Sequence, residues 1–248
     1  MRRLRRWWWL VPIVMLFAGV GGFLAWAYTP AGPMPEAELA LVPDLQVAVD
    51  TEPWLVLQPA DSPPAAGLVF YPGGRVDPRA YAPPARLIAA EGFLVVVVPM
   101  PLNLAVIDSS AAEDVIAAFP GVEAWAVGGH SLGGAMAAQF AYDHPGGVDG
   151  LVLWAAYPPG GAGLSGSDLA VVSIYGTRDG VAPPEEVLAA RPLLPPDTTW
   201  VAIEGGNHAQ FGSYGPQDGD NDATISREIQ QVEVVAVTVD LLHAISSK

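Results

Sequence analysis

Beyond residue 66, short apolar runs alternate with stretches of helical period, and this alternation fixes the fold class. The runs 67–71 (GLVFY), 93–98 (FLVVVV), 124–128 (AWAVG), 150–154 (GLVLW), 170–175 (AVVSIY) and 200–203 (WVAI) read as buried strands. Between them, 81–91, 110–119, 132–142 and 184–190 read as helices, and 224–245 as a long final one. Ser109 or Ser110 is the expected cap of the second helix. Strands joined through helices run parallel, with helices covering both faces of the sheet, so the chain is expected to be α/β. Two earlier runs, 45–50 (LQVAVD) and 54–59 (WLVLQP), are separated only by Thr51-Glu52-Pro53 and predict an antiparallel hairpin at one edge. There is no internal repeat. At 248 residues, with 51% apolar and 15% charged, the chain has material for one large domain, assigned to 44–248, and is not disordered.

Residues 1–28 are of a different kind. Arg2, Arg3, Arg5 and Arg6 form a basic flank, and the 22 residues from Trp7 to Tyr28 carry no charge. A helix of that length spans about 30 Å of hydrocarbon. Trp7, Trp8 and Trp9 fall where an aromatic belt belongs, and the next basic residue after the span is Arg75. The positive-inside rule places the N-terminus in the cytoplasm and the body outside the cell membrane. Ala25-Trp26-Ala27 also has the small-x-small form of a cleavage site, so the segment reads as a membrane anchor or as a signal peptide removed after Ala27, which would leave the body secreted. Both readings export the body. Residues 29–43, with four prolines and two glutamates, read as a Pro-rich stalk.

Charge and cysteine content exclude several functions. There are 26 acidic against 11 basic residues, and four of the basic ones are the N-terminal arginines. Such an acidic body makes no nucleic-acid partner. No cysteine is present, which removes disulfides, cysteine-ligated zinc and a cysteine nucleophile.

Gly129-His130-Ser131-Leu132-Gly133-Gly134 contains a G-x-S-x-G. In a chain with 27 glycines the five letters alone are weak, but this copy directly follows a strand and directly precedes a helix. A sharp turn there lifts the Ser131 hydroxyl above the sheet and aims the Leu132 N–H, at a helix N-terminus, toward a developing oxyanion. Side chains at 129 and 133 are expected to collide with neighbouring backbone. A serine hydroxyl needs a base. His130 lies inside the turn and reads as packing, His144 precedes Pro145 at a helix end, and His243 is in the last helix. His208 stands in a glycine-rich loop past the last strand, where it can reach across the carboxyl ends of the sheet. Asp179, in the turn after the strand 170–175, is the expected orienting acid. Asp168 is the alternative, but it precedes that strand and sits at its wrong end. Tyr71-Pro72-Gly73-Gly74 follows the first parallel strand, and Gly73 or Gly74 is expected to supply a second oxyanion donor.

Through YPGGRVDPRAY at 71–81, GHSLGG at 129–134, YGTRDG at 175–180 and GGNHAQFGSYG at 205–215, the chain resembles the α/β-hydrolase superfamily over roughly residues 45–245. More narrowly it is similar to the small single-domain serine hydrolases of the α/β-hydrolase family 5 type, related in fold to dienelactone hydrolases. The resemblance implies Ser131 as nucleophile, Asp179 as acid and His208 as base; no cofactor is expected. Dienelactone hydrolases generally carry cysteine at the elbow, and serine here favours ordinary esters as small-molecule substrates. The expected activity is that of an esterase. A thioesterase or an acyltransferase would use the same residues, and a noncatalytic tethered binding domain is the alternative from another class.

Two further expectations follow from spacing. Residues 217–222 (QDGDND) place carboxylates at alternate positions, but a calcium loop would want glycine and glutamate where Ala223 and Ile229 stand, so a solvated acidic loop capping the last helix is expected, with no metal. Residues 155–169, between two strands, are too few and too rich in Pro and Gly for a helical lid. The mouth above Ser131 should then be open, with the loop 100–104 (MPLNL) as its apolar wall, favouring short acyl groups.

Overall fold

Apolar runs bounded by glycine and proline become strands covered on both faces. The computed structural model describes residues 9–247. Its strands are β1 (Val47–Asp50), β2 (Leu55–Pro59), β3 (Gly67–Tyr71), β4 (Leu94–Val97), β5 (Trp125–His130), β6 (Gly150–Trp154), β7 (Ala170–Gly176) and β8 (Thr199–Ile203). The helices are α1 (Leu10–Ala27), α2 (Pro35–Leu39), α3 (Ala82–Ala90), α4 (Ala112–Ala118), α5 (Leu132–Asp143), α6 (Pro184–Ala189) and α7 (Arg227–Ser246). The strands form one eight-stranded sheet in the order β1-β2-β4-β3-β5-β6-β7-β8. The hairpin β1–β2 is antiparallel and β2 pairs antiparallel with β4, while all later neighbours are parallel. This is the expected fold.

Alternation along β3 divides the core in two. Leu68 and Phe70 join Trp154 and, from α3 and α7, Ile88, Val234 and Leu242 on one face. Val69 and Tyr71 join Val127, Leu153 and, from α5, Ala137 and Phe140 on the other. The chain runs from β3 to β4 on one side and then crosses to β5 on the other. The carboxyl ends of β3 and β5 thus flank a topological switch point, where open α/β sheets bind ligands.

Three expectations are corrected. Residues 29–43 do not hold the body at a distance. Ala31 bridges to Val76, the Met34 amide donates to the Ser213 carbonyl at 2.8 Å, and α2 buries Ala37. The cause is local: the small Ala37 and Ala40 fit against the body, and Glu38 pairs with Arg79. Neither Ser109 nor Ser110 caps α4, which has no side-chain cap, because the Ser110 hydroxyl donates to Asp108 instead. The last helix starts later than expected and is capped by Ser226, whose hydroxyl accepts from the Ile229 amide, and not by the acidic loop.

The helix α1 is apolar, with a mean hydropathy of 2.1, and 6% of it is buried, so by length and composition it can cross a membrane. The helix α7 passes the same test but is half buried against the sheet, as a core helix is. The arginine flank and Trp7 and Trp8 lie outside the described residues.

Candidate active site

The strand β5 ends at His130 and α5 begins at Leu132, so Ser131 alone makes the turn. Its φ of 53° and ψ of −123° are costly for a residue with a Cβ, on the order of 1–3 kcal/mol. The surroundings impose that conformation. The Ser131 amide donates to the Trp154 carbonyl at 2.9 Å, and its own carbonyl accepts from Ala135 at 3.0 Å. The backbone of α5 also lies hard against β3. A Cβ on Gly133 would overlap the carbonyl oxygens of Tyr71 and Pro72, and one on Gly129 would lie 2.6 Å from the Tyr71 oxygen. The two glycines permit close approach, as expected.

Asp179 and His208 meet at the same end of the sheet. The turn after β7 buries Asp179, whose Oδ1 accepts from the Val181 amide at 2.8 Å and the Ala182 amide at 2.7 Å. Its Oδ2 lies 2.7 Å from Nδ1 of His208, which is fully buried in the loop after β8. A carboxylate only accepts, so Nδ1 carries the proton and Nε2 is left as a base. That Nε2 is buried and has no hydrogen-bond partner. The His208 ring lies 4.4 Å from the ring of His130, the residue before Ser131.

The sequence profile of the alpha/beta hydrolase family matches residues 67–232. The chain belongs to the alpha/beta hydrolase family. No curated protein matches its sequence. Among solved structures, the esterase domain of a Rhodothermus marinus protein superposes with a TM-score of 0.60 at 13% identity, covering 78% of this chain and 92% of that one. At that identity the likeness is one of fold.

In this alpha/beta hydrolase the two candidate oxyanion glycines are not equivalent. The Gly73 amide donates to the Tyr81 hydroxyl at 2.9 Å, so it is engaged and corrects the expectation for that residue. Gly74 carries no such bond, and it packs against Leu132, where an added Cβ would lie 3.2 Å from Leu132 Cδ2. The Leu132 amide, at the first position of α5, has no intrahelical partner. Gly74 and Leu132 therefore remain the candidate oxyanion donors, the Leu132 amide directly following Ser131. The buried Tyr81 hydroxyl accepts from Gly73 and lies in hydrogen-bond contact with His130 Nδ1 at 2.8 Å. Burial, and then the neighbouring His208, hold His130 well below the usual histidine range and keep it neutral. Burial likewise raises the Tyr81 hydroxyl above the usual tyrosine range.

Asp220 is the residue that sequence reasoning missed. The expected solvated loop in fact bridges both turns of the site. Asp220 Oδ1 accepts from the amides of His208 at 3.2 Å and Gly180 at 3.1 Å, and Oδ2 accepts from Ala209 at 2.8 Å. Its distance from the motif in sequence gave no signal. Asp220→Asn puts an N–H₂ against backbone donors, leaving at least one of them unsatisfied, a cost of about 1–3 kcal/mol. The variant should melt several degrees lower by calorimetry and lose turnover through a displaced His208.

The remaining candidates lie elsewhere. His144 stacks on Phe140 with Nε2 2.6 Å from Glu113, and His243 meets the ring of Phe93 edge-on. Asp168 lines a cleft of about 560 Å³ with Asp149, at the amino ends of β6 and β7 and so far from Ser131. Residues 155–169 contain no helix or strand, as expected, and Leu104 of the apolar wall approaches Gly74. Beside Gly74 opens a cleft of about 520 Å³, bounded by Trp26, Thr29, Arg75, Tyr214 and Asp218.

Proposed function

We propose that the chain is an exported, membrane-anchored serine hydrolase that cleaves carboxylic esters through an acyl-enzyme and favours short acyl groups. The observation that carries this reading is the buried His208, held through Nδ1 by Asp179 with Nε2 unpartnered, at the same end of the sheet as the strained Ser131. His208 Nε2 takes the Ser131 proton as the hydroxyl oxygen attacks the acyl carbon. The oxyanion is met by the amides of Leu132 and Gly74. The protonated His208 then donates to the departing alkoxide, and water enters by the same route to release the acid. This chemistry calls for no cofactor. The esterase domain of similar fold supports the reaction class.

Anchoring is supported by the apolar α1 and by the arginines before it. Retention of α1 is favoured over cleavage after Ala27, because the body binds the Trp26 and Ala27 carbonyls through Arg75 and Asn103. The short-acyl reading is supported by the absence of helix and strand from residues 155–169, and each methylene left in water forgoes about 0.8 kcal/mol.

Turnover of nitrophenyl esters of increasing acyl length, with and without micelles, tests the reading. Rates should be highest at roughly two to six carbons, with no jump at the critical micelle concentration. A rate that climbs beyond about ten carbons overturns the short-acyl preference. A wild-type protein that neither hydrolyses any ester nor reacts with a fluorophosphonate between about pH 6 and 9 overturns the enzyme reading.

A further inference from the structure

The last carbonyls of any helix lack intrahelical partners, and at the end of α1 two of them, those of Trp26 and Ala27, are met by side chains of the body. Arg75 Nε donates to the Trp26 carbonyl at 2.9 Å and Arg75 Nη2 to the Thr29 carbonyl at 2.7 Å. The Arg75 guanidinium also lies over the Trp26 ring, 4.3 Å from its centre. Asn103 Nδ2 donates to the Ala27 carbonyl at 2.9 Å, and Ala27 is fully buried. The two capping residues are joined to one another, since the Arg75 amide donates to the Asn103 carbonyl at 2.8 Å. The chain after the helix closes the ring: the Ala31 amide donates to the Arg75 carbonyl at 2.7 Å and its carbonyl accepts from Asp77 at 3.0 Å. Arg75 and Asn103 hold left-handed backbones, with φ of 57° and 55°. Such conformations persist only where the surroundings over-determine them.

Arg75 directly follows Gly74, which packs against the side chain of Leu132, the residue after Ser131. We infer that the last turn of α1 is a working part of the active site: through Arg75 and Asn103 it sets the position of the Gly74 amide, and through Trp26 and Thr29 it walls the adjoining cleft. Arg75 and Asn103 are positioning residues, since neither touches the reacting atoms. The inference rests on reading Ser131 as nucleophile with Gly74 and Leu132 as oxyanion donors. A donor displaced from the oxyanion is felt in the transition state and not in the ground state, so the loss falls on kcat while KM holds.

The experiment uses the full chain in lipid nanodiscs with nitrophenyl acetate. Arg75→Met deletes both side-chain donors while keeping the stem. Asn103→Gly deletes only the bond to Ala27 and relieves the left-handed backbone, so it folds even if the first variant does not. Arg75→Met should lower kcat by about ten- to a hundredfold with KM within about threefold, and Asn103→Gly by severalfold. Arg75→Lys, which keeps the charge and one donor, should recover part of the loss. The affinity of a boronic acid, which forms a tetrahedral adduct on the serine, should fall in step with kcat; a merely structural role would not produce that parallel. A wild type that is inactive toward esters and phosphonates overturns the enzyme reading and this inference with it. An active wild type whose Arg75→Met and Asn103→Gly variants keep kcat within twofold overturns this inference alone.

Discussion

Ser131→Ala is expected to abolish ester hydrolysis and leave the fold intact. Alanine keeps the Cβ, so the unfavourable φ of 53° costs the same as before. The Ser131 amide still donates to the Trp154 carbonyl, and Gly129 and Gly133 still admit the close backbone. Only Oγ is lost, and its removal is worth within about 0.5 kcal/mol of stability. The chemical effect is of another order. With no atom to attack the acyl carbon there is no acyl-enzyme, and comparable deletions of a serine nucleophile cost about a millionfold in kcat. Steady-state turnover and the pre-steady-state burst check this together: both should vanish while the melting temperature holds. Residual activity above about a thousandth of wild type would mean that another group attacks.

Asp179→Asn should keep the fold and lower kcat/KM by about ten-thousandfold at neutral pH. The reason lies in how the carboxylate is used. Oδ1 accepts from two amides, Val181 and Ala182, and Oδ2 from His208 Nδ1. An asparagine has one oxygen for these two duties. Facing its N–H₂ toward the amides leaves donors opposed at two bonds, and each buried donor so stranded costs about 1–3 kcal/mol. The cheaper orientation keeps the oxygen on the amides and turns N–H₂ toward His208. Nδ1 must then accept, the imidazole proton moves to Nε2, and His208 is no longer available as a base through that nitrogen. Asp168→Asn, at the amino end of β7, should leave kcat/KM near wild type. The reverse pattern between these two variants would reassign the acid.

The parts of the site that could be read in the sequence are those made by local chain. The elbow is six consecutive residues, and its glycines are dictated by backbone crowding that any such turn suffers. Asp179 and His208 each follow a recognisable apolar run, so their place at the carboxyl ends of β7 and β8 was visible before their contact was. Contacts between distant segments carried no such signal. Tyr81 is 49 residues from His130, and only the folded sheet makes its hydroxyl the acceptor that engages Gly73. Asp220 sits among acids and looks solvated, yet in the fold its carboxylate accepts from the amides of His208 and Gly180, residues 12 and 40 positions away. The 29–43 segment misled for a related reason: prolines signal extended chain, and they say nothing of whether Ala37 and Ala40 will find a surface to cover.

The backbone at Ser131 sets durability and turnover against each other at a single residue. Only glycine is at ease with that pair of dihedral angles, so an exchange of serine for glycine is expected to gain on the order of 1–3 kcal/mol and, with Ser131 read as the nucleophile, to end turnover. A side chain persists in that turn because the close packing of α5 on β3, admitted by Gly129 and Gly133, holds the backbone there.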